Sequence, residues 1–165
     1  TYGPDLMTLL CRLSEDKGYK HFFYGGSAEA SRLLVENLQK RFPKLRIVGQ
    51  YAPSFLAPKQ KEKPDVIAQI NAAQADVLWI GLGSPKQDYW MAMHRAELNV
   101  PVIVGAGAAF DFLAGTKPQA PRWMQRSGLE WVFRLCCEPR RLWKRYLLGN
   151  TRFVYLLLKN KFFNR

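Results

Sequence analysis

The chain has 165 residues, 48% of them hydrophobic, and a formal net charge of +12 at pH 7. This length suits one domain with a good core, and the odd number of cysteines, 3, argues against a disulfide framework and favours a reducing compartment. No His or Cys spacing suits a metal, no signal peptide is expected, and the longest late apolar run, residues 153–158, is far below the about 20 residues of a membrane span.

Apolar periodicity predicts helices that alternate with strands over the first two thirds of the chain. The predicted elements are a helix over 4–16, a strand over 21–24, a helix from the N-cap Ser27 to about 41, a strand over 45–51, a loop over 52–64, a helix over 65–73, a strand over 77–80, a helix over 85–98, a strand over 102–104 and a helix over 108–113. Uniformly apolar strands are typical of a parallel sheet covered on both faces. We therefore expect a Rossmann-like α/β fold.

The charge is concentrated at the end of the chain. Residues 117–165 hold 12 Lys or Arg against Glu130 and Glu138, whereas residues 1–116 are close to neutral. Short helices are predicted there over 121–126, 130–137, 140–149 and 151–161. The sequence thus predicts an α/β core over 1–116 and a basic, aromatic-rich helical appendage over 117–165, whose charge favours an anionic partner.

Glycine turns at Gly25-Gly26, Gly81-Leu-Gly83 and Gly105-Ala-Gly each follow a predicted strand. Ligands of parallel sheets bind beyond the carboxyl ends of the strands, so these turns are candidate substrate contacts.

The segment that follows Gly83 has two interpretations. Ser84 followed by Gln87 fits a capping box, with Pro85 at the first helical position, and Gln87 would then serve only the helix end. Alternatively, the free N–H groups at that helix start form a site for an anion or a uracil edge. Asp111, which follows the third turn, is likewise either a structural acceptor or a ligand-binding carboxylate.

The appendage interleaves cations with aromatic residues. Arg134, Arg141 and Arg145 fall on helical spacing, near Trp131, Trp143 and Tyr146. Such a pattern indicates a solvated charged face, an interface with anionic lipid, or a surface that stacks bases and neutralises a nucleic-acid backbone.

Three segments in order carry a resemblance to a known family. They read Gly-Leu-Gly-Ser-Pro-Lys-Gln-Asp from residue 81, Gly-Ala-Gly-Ala-Ala-Phe-Asp-Phe-Leu-Ala-Gly from 105, and Leu-Glu-Trp-Val-Phe-Arg-Leu-Cys-Cys-Glu-Pro-Arg-Arg-Leu-Trp-Lys-Arg-Tyr from 129. The chain resembles the C-terminal two thirds of the WecG/TagA/CpsF family of bacterial glycosyltransferases. The resemblance implies an inverting, metal-independent transfer of an N-acetylmannosamine-type sugar from a UDP-sugar donor to a polyprenyl-diphosphate-linked acceptor in envelope or exopolysaccharide synthesis, with no cofactor.

The resemblance also implies roles for residues. Gln87 would hold the donor nucleotide or sugar, and Asp111 would line the same pocket as the turn glycines Gly25, Gly26, Gly83 and Gly105. Diphosphate or membrane contacts would come from Arg134, Arg141, Lys144 and Arg145.

The resemblance leaves the catalytic base unassigned. The family's proposed catalytic aspartate lies upstream of the segment that resembles Gly3 to Leu6, so we expect the base outside this chain, with Asp111 as the fallback.

The expected location is cytoplasmic, at the inner face of the cell membrane on an anionic surface. Exposed apolar edges would favour self-association, and we expect no nucleic-acid partner. A nucleic-acid-binding module and a non-catalytic, membrane-associated fragment are the alternative functions.

Overall fold

The computed structural model of the protein describes residues 2–53, 61–140, 142–143, 149 and 156. The chain divides into two compact units, Thr1–Lys117 and Pro118–Arg165. Each unit is described below by itself.

The first unit alternates helices and strands as the apolar periodicity predicts. Its elements are α1 (Gly3–Lys17), β1 (Lys20–Gly25), α2 (Ala28–Arg41), β2 (Arg46–Tyr51), α3 (Pro64–Ala72), β3 (Val77–Gly81), α4 (Lys86–His94), β4 (Val102–Gly105) and α5 (Ala109–Ala114). The largest difference is at α4, which ends four residues before the predicted Leu98 because the chain must turn back toward the sheet. The Arg95 guanidinium stabilises that turn by donating to the carbonyls of Leu98 and Val100 at 3.2 and 3.1 Å.

Within the described residues, the strands form one four-stranded sheet in the order β2-β1-β3-β4. Every pair is parallel, which confirms the predicted α/β, Rossmann-like fold. The chain leaves β1 toward β2 on one side and returns to β3 on the other side. Such a reversal of direction marks the place where α/β sheets bind their ligands.

Apolar side chains cover both faces of the central strands β1 and β3. On one face, Phe23 and Trp79 pack with residues of α1, α2 and α5. On the other face, Phe22, Tyr24 and Leu78 pack with residues of α3 and α4. Burial on both faces is the physical reason that these strands read as unbroken apolar runs in the sequence.

The starts of α2 and α4 compare differently with the predictions. Ser27 is the N-cap of α2 and accepts a hydrogen bond from the Ala30 amide at 3.1 Å, as predicted. The predicted capping box of α4 is wrong, because Pro85 itself occupies the N-cap position without a side-chain cap. The Ser84 hydroxyl instead donates to the carboxylate of Asp88.

The second unit begins with two short helices that match the predicted bounds. They are α6 (Arg122–Arg126) and α7 (Glu130–Cys137). Trp123 and Trp131 are 63% and 42% exposed. The further helices predicted over 140–149 and 151–161 lie largely outside the described residues.

Candidate functional site

Glycine turns terminate β1, β3 and β4 at the carboxyl edge of the sheet. Gly25 and Gly81 are partners in the register of β1 and β3. A Cβ atom on Gly25 would lie 2.7 Å from the carbonyl carbon of Gly81, and Gly25 has a φ of +124°. The Gly26 amide donates to the Gly81 carbonyl at 3.1 Å. These two turns therefore need glycine and form one fixed, backbone-lined floor.

Gln87 joins the second and third turns. A Cβ atom on Gly105 would lie 2.8 Å from Gln87 Nε2, and one on Gly107 would lie 3.4 Å from Gln87 Oε1 and 3.7 Å from the Gly83 Cα. The structure thus brings together Gly83, Gln87 and Gly105, which were all predicted as site residues, and adds Gly107. The Gln87 side chain points at the turns rather than at its own helix start.

The amide oxygen of Gln87 is buried and accepts no hydrogen bond. Ser31 Oγ, in the first turns of α2, is also buried and unpartnered. A Cβ atom on Gly26 would lie 3.8 Å from the Ser31 amide, so Ser31 belongs to the same edge of the sheet. Buried polar atoms almost always have partners, and exceptions call for an explanation such as an absent ligand.

Asp111 lies in the first turn of α5 and has two described partners. Its carboxylate is 2.8 Å from the Lys117 ammonium, and both side chains are about one-third exposed or less. The Thr116 hydroxyl donates to the Asp111 carbonyl at 3.1 Å. Of the two interpretations of Asp111, these contacts favour the structural hydrogen-bond acceptor. A ligand would have to compete with Lys117 for the carboxylate.

The two histidines are buried and fixed as neutral rings by their partners. Trp79 Nε1 can only donate, so its 2.9 Å bond requires an unprotonated His21 Nδ1 and leaves His21 Nε2–H to donate to Ser14 Oγ at 2.8 Å. Burial lowers the pKa of His21 from 6.5 to about 4, against an opposing effect of Asp76. His94 Nδ1–H donates to the Trp90 carbonyl at 2.8 Å, and His94 Nε2 accepts from the Glu62 amide at 3.1 Å. Both rings are structural.

A polar and aromatic cluster that the sequence did not reveal lies beside the first turn. The buried hydroxyl of Tyr24 donates to the Glu62 carboxylate, which also accepts from the Lys63 amide at 2.9 Å. Burial, followed by the bond to Glu62, raises the pKa of Tyr24. The rings of Tyr51, Tyr24, Trp90 and His94 form a column with centroid separations of 5.9, 4.4 and 4.7 Å. The partners lie 38 and 32 residues apart in sequence, so no local pattern predicts them.

The predicted basic site residues fall in the second unit. Arg134 lies in the last turn of α7, a helix without buried residues. Arg141, Lys144 and Arg145 lie outside the described residues.

The described part of the chain offers neither a metal-binding cluster nor a membrane-spanning helix. It contains no cluster of three His, Cys, Asp or Glu side chains that could hold a metal ion. None of its helices is both long and apolar enough to cross a bilayer.

Comparison with known proteins identifies the class of protein. The family model described as "Glycosyl transferase WecG/TagA/CpsF family" matches residues 1–165. The chain belongs to this family of glycosyltransferases, and the resemblance found in the sequence is confirmed.

Three curated relatives carry the same name, N-acetylglucosaminyldiphosphoundecaprenol N-acetyl-beta-D-mannosaminyltransferase. The chain is 31% identical to the one from Bacillus spizizenii and 29% identical to the one from Bacillus subtilis, each over 96% of this chain and 59% of the relative. It is 26% identical to one from Staphylococcus aureus, over 96% of this chain and 60% of the relative. The chain thus spans about three fifths of the length of these relatives.

Proposed function

We propose that the chain contributes the donor site of a glycosyltransferase that moves an N-acetylmannosamine-type sugar from UDP to a polyprenyl-diphosphate-linked acceptor in envelope polysaccharide synthesis. The names of the relatives support the sugar and the acceptor. The observation that carries the donor site is the buried, unpartnered oxygen of Gln87 among the glycine turns. This oxygen needs an N–H or O–H donor, which a nucleobase, a ribose or an N-acetylated sugar provides.

The glycine turns suit the diphosphate of such a donor. Gly25 and Gly26 precede α2, whose N-terminus follows the carboxyl end of β1. Absence of Cβ atoms lets a ligand approach the backbone closely, and the positive end of the helix dipole favours phosphate. Gly83 is open, because nothing lies within 4 Å of the position of its Cβ.

The proposed reaction is an inverting displacement. The acceptor hydroxyl oxygen bonds to the anomeric carbon as the bond from that carbon to the diphosphate oxygen breaks, and UDP leaves with the electron pair. A base takes the hydroxyl proton. Asp111 is a poor candidate, because the Lys117 ammonium already occupies its carboxylate at 2.8 Å. We therefore propose that the base lies in the part of the relatives' length that this chain does not span, as the family resemblance implies.

Cations take the place of a metal in this proposal. Arg134, Arg141, Lys144 and Arg145 would neutralise diphosphate and hold the second unit on the anionic inner face of the cell membrane. The exposed indoles of Trp123 and Trp131 support an interfacial role, because such rings favour the headgroup depth.

Replacing both tryptophans with serine should weaken binding to phosphatidylglycerol vesicles. Unchanged vesicle binding would contradict the proposed membrane role and would not bear on the proposed donor site.

Ligand-observed NMR with UDP tests the donor site. The wild-type chain should bind UDP and bind AMP weakly, and Gln87→Ala should weaken UDP binding. Gln69→Ala, which removes an exposed glutamine on α3, is the matched control and should bind as the wild type does. Absence of UDP binding by the wild type, or equal binding by the Gln87 variant, would contradict the proposal.

A further inference from the structure

We propose that Tyr51 is the platform on which the base of the donor nucleotide stacks. This inference rests on the proposed function, since it specifies how the donor site selects a nucleotide.

Tyr51 is the last residue of β2, at the same edge of the sheet as the glycine turns. It pairs in register with Tyr24, the residue directly before the Gly25-Gly26 turn. Neighbouring strands lie about 4.8 Å apart, so Tyr51 is one strand spacing from the start of that turn. A diphosphate at the turn would place its nucleoside within reach of β2, as nucleotides do when they cross the carboxyl edge of an α/β sheet.

The Tyr24 ring packs against the Tyr51 ring and orders it. Its plane lies within 13° of the Tyr24 ring at a centroid distance of 5.9 Å. Tyr24 is fully buried, its hydroxyl is bonded to Glu62, and Trp90 stacks on it at 4.4 Å. Tyr51 itself is only partly buried, so part of the residue remains accessible. A ring that is already ordered loses little conformational freedom when a base stacks on it.

Other accessible tyrosines of the first unit are less suitable. Tyr19 is 40% exposed but precedes β1, at the opposite edge of the sheet. Tyr89 is 42% exposed on α4, two residues after Gln87, and is a second candidate near the site. The aromatic column favours Tyr51 over Tyr89, and the experiment compares the two.

The test measures dissociation constants for UDP and for 5,6-dihydro-UDP, whose base is puckered and lacks the aromatic face. Stacking on an aromatic side chain predicts that Tyr51→Ala weakens UDP binding roughly 5- to 150-fold, whereas Tyr51→Phe binds within about 2-fold of the wild type. The wild type should bind dihydro-UDP more weakly than UDP, and Tyr51→Ala should not weaken dihydro-UDP further. A merely structural role would weaken both ligands equally.

Tyr19→Ala is the matched control and should bind both ligands as the wild type does. Equal affinity of the wild type for the two ligands overturns the inference even if a Tyr51 variant does not fold. A loss of UDP binding in Tyr89→Ala but not in Tyr51→Ala overturns it as well. Failure of the wild type to bind UDP contradicts the proposed function itself, whereas binding that depends on Gln87 but not on Tyr51 contradicts this inference alone.

Discussion

The buried polar groups at the two ends of the sheet differ in how completely they are hydrogen-bonded. Toward the amino end, Trp79 donates to His21, His21 donates to Ser14, and the Ser14 hydroxyl donates to the Leu10 carbonyl at 2.6 Å. Every member of this hydrogen-bonded series has a partner, and the His21 ring, although titratable, is kept neutral. Such a network stabilises and specifies a core.

At the carboxyl end, the buried Tyr24 hydroxyl is bonded to Glu62, but other buried polar atoms have no described partner. Gln87 Oε1 and Ser31 Oγ accept or donate no bond, and the surrounding turns are built from glycine. Leaving such an atom unsatisfied costs about 1–3 kcal/mol. The contrast indicates that the amino end serves stability, whereas the carboxyl end keeps hydrogen-bonding capacity for a ligand.

The largest expected effect is on the backbone floor of the site. Gly25→Ala should lower the free energy of unfolding by roughly 3–5 kcal/mol, because it combines a positive φ with a Cβ atom 2.7 Å from the Gly81 backbone. Gly83→Ala, also at a positive φ but with open space, should cost only about 1–2 kcal/mol. Urea unfolding measures both, and equal losses would show that the close approach of β1 and β3 is unimportant.

The next effect is a dependence of stability on pH at the amino end. His21 has a native pKa of about 4 against 6.5 for an ordinary histidine. Between these values the unfolded chain binds a proton that the native chain does not, so stability falls as the pH drops from 6.5 to 4. The loss should approach about 3 kcal/mol.

Urea unfolding at pH values from 7 to 4 measures this loss, with the non-titrating variant His21→Asn for comparison. As the pH falls, the wild type should lose free energy of unfolding relative to the His21→Asn variant. An imidazole of His21 that NMR finds protonated at pH 6 would contradict the neutral network.

A smaller change should separate binding from folding at the carboxyl end. In Gly105→Ala, the new Cβ would lie 2.8 Å from Gln87 Nε2, and this flexible side chain must move. We expect UDP affinity to fall about tenfold, which corresponds to about 1.4 kcal/mol. The free energy of unfolding should change by less than about 1 kcal/mol. Unchanged UDP affinity would show that the position of the Gln87 side chain does not matter for UDP binding.

The smallest effect is expected at Asp111. Asp111→Asn breaks the 2.8 Å ion pair with Lys117, and partly exposed pairs contribute at most about 1 kcal/mol. Lys117→Met should cost a similar amount in urea unfolding. If UDP affinity falls in the Asp111 variant but not in the Lys117 variant, the carboxylate acts on the ligand and not only on its ion pair.

The sequence predicted the sheet and its glycine turns because their causes are local. Apolar runs that stop at Gly25, Gly81 and Gly105 are determined by burial on both faces and by backbone geometry. The role of the Ser84 to Asp88 segment was not predictable, since the capping pattern competes with the contact between Ser84 and Asp88. The Tyr24, Glu62 and His94 cluster is formed by the tertiary fold alone.

An NMR titration of the ¹⁵N-labelled chain with UDP tests the contrast between the two ends most directly. The account predicts shifts of the Gln87 side-chain amide and of the backbone amides of Gly26, Gly83 and Gly105, with the Trp79 indole N–H unchanged. Shifts at Trp79, or shifts confined to residues after Pro118, would contradict it.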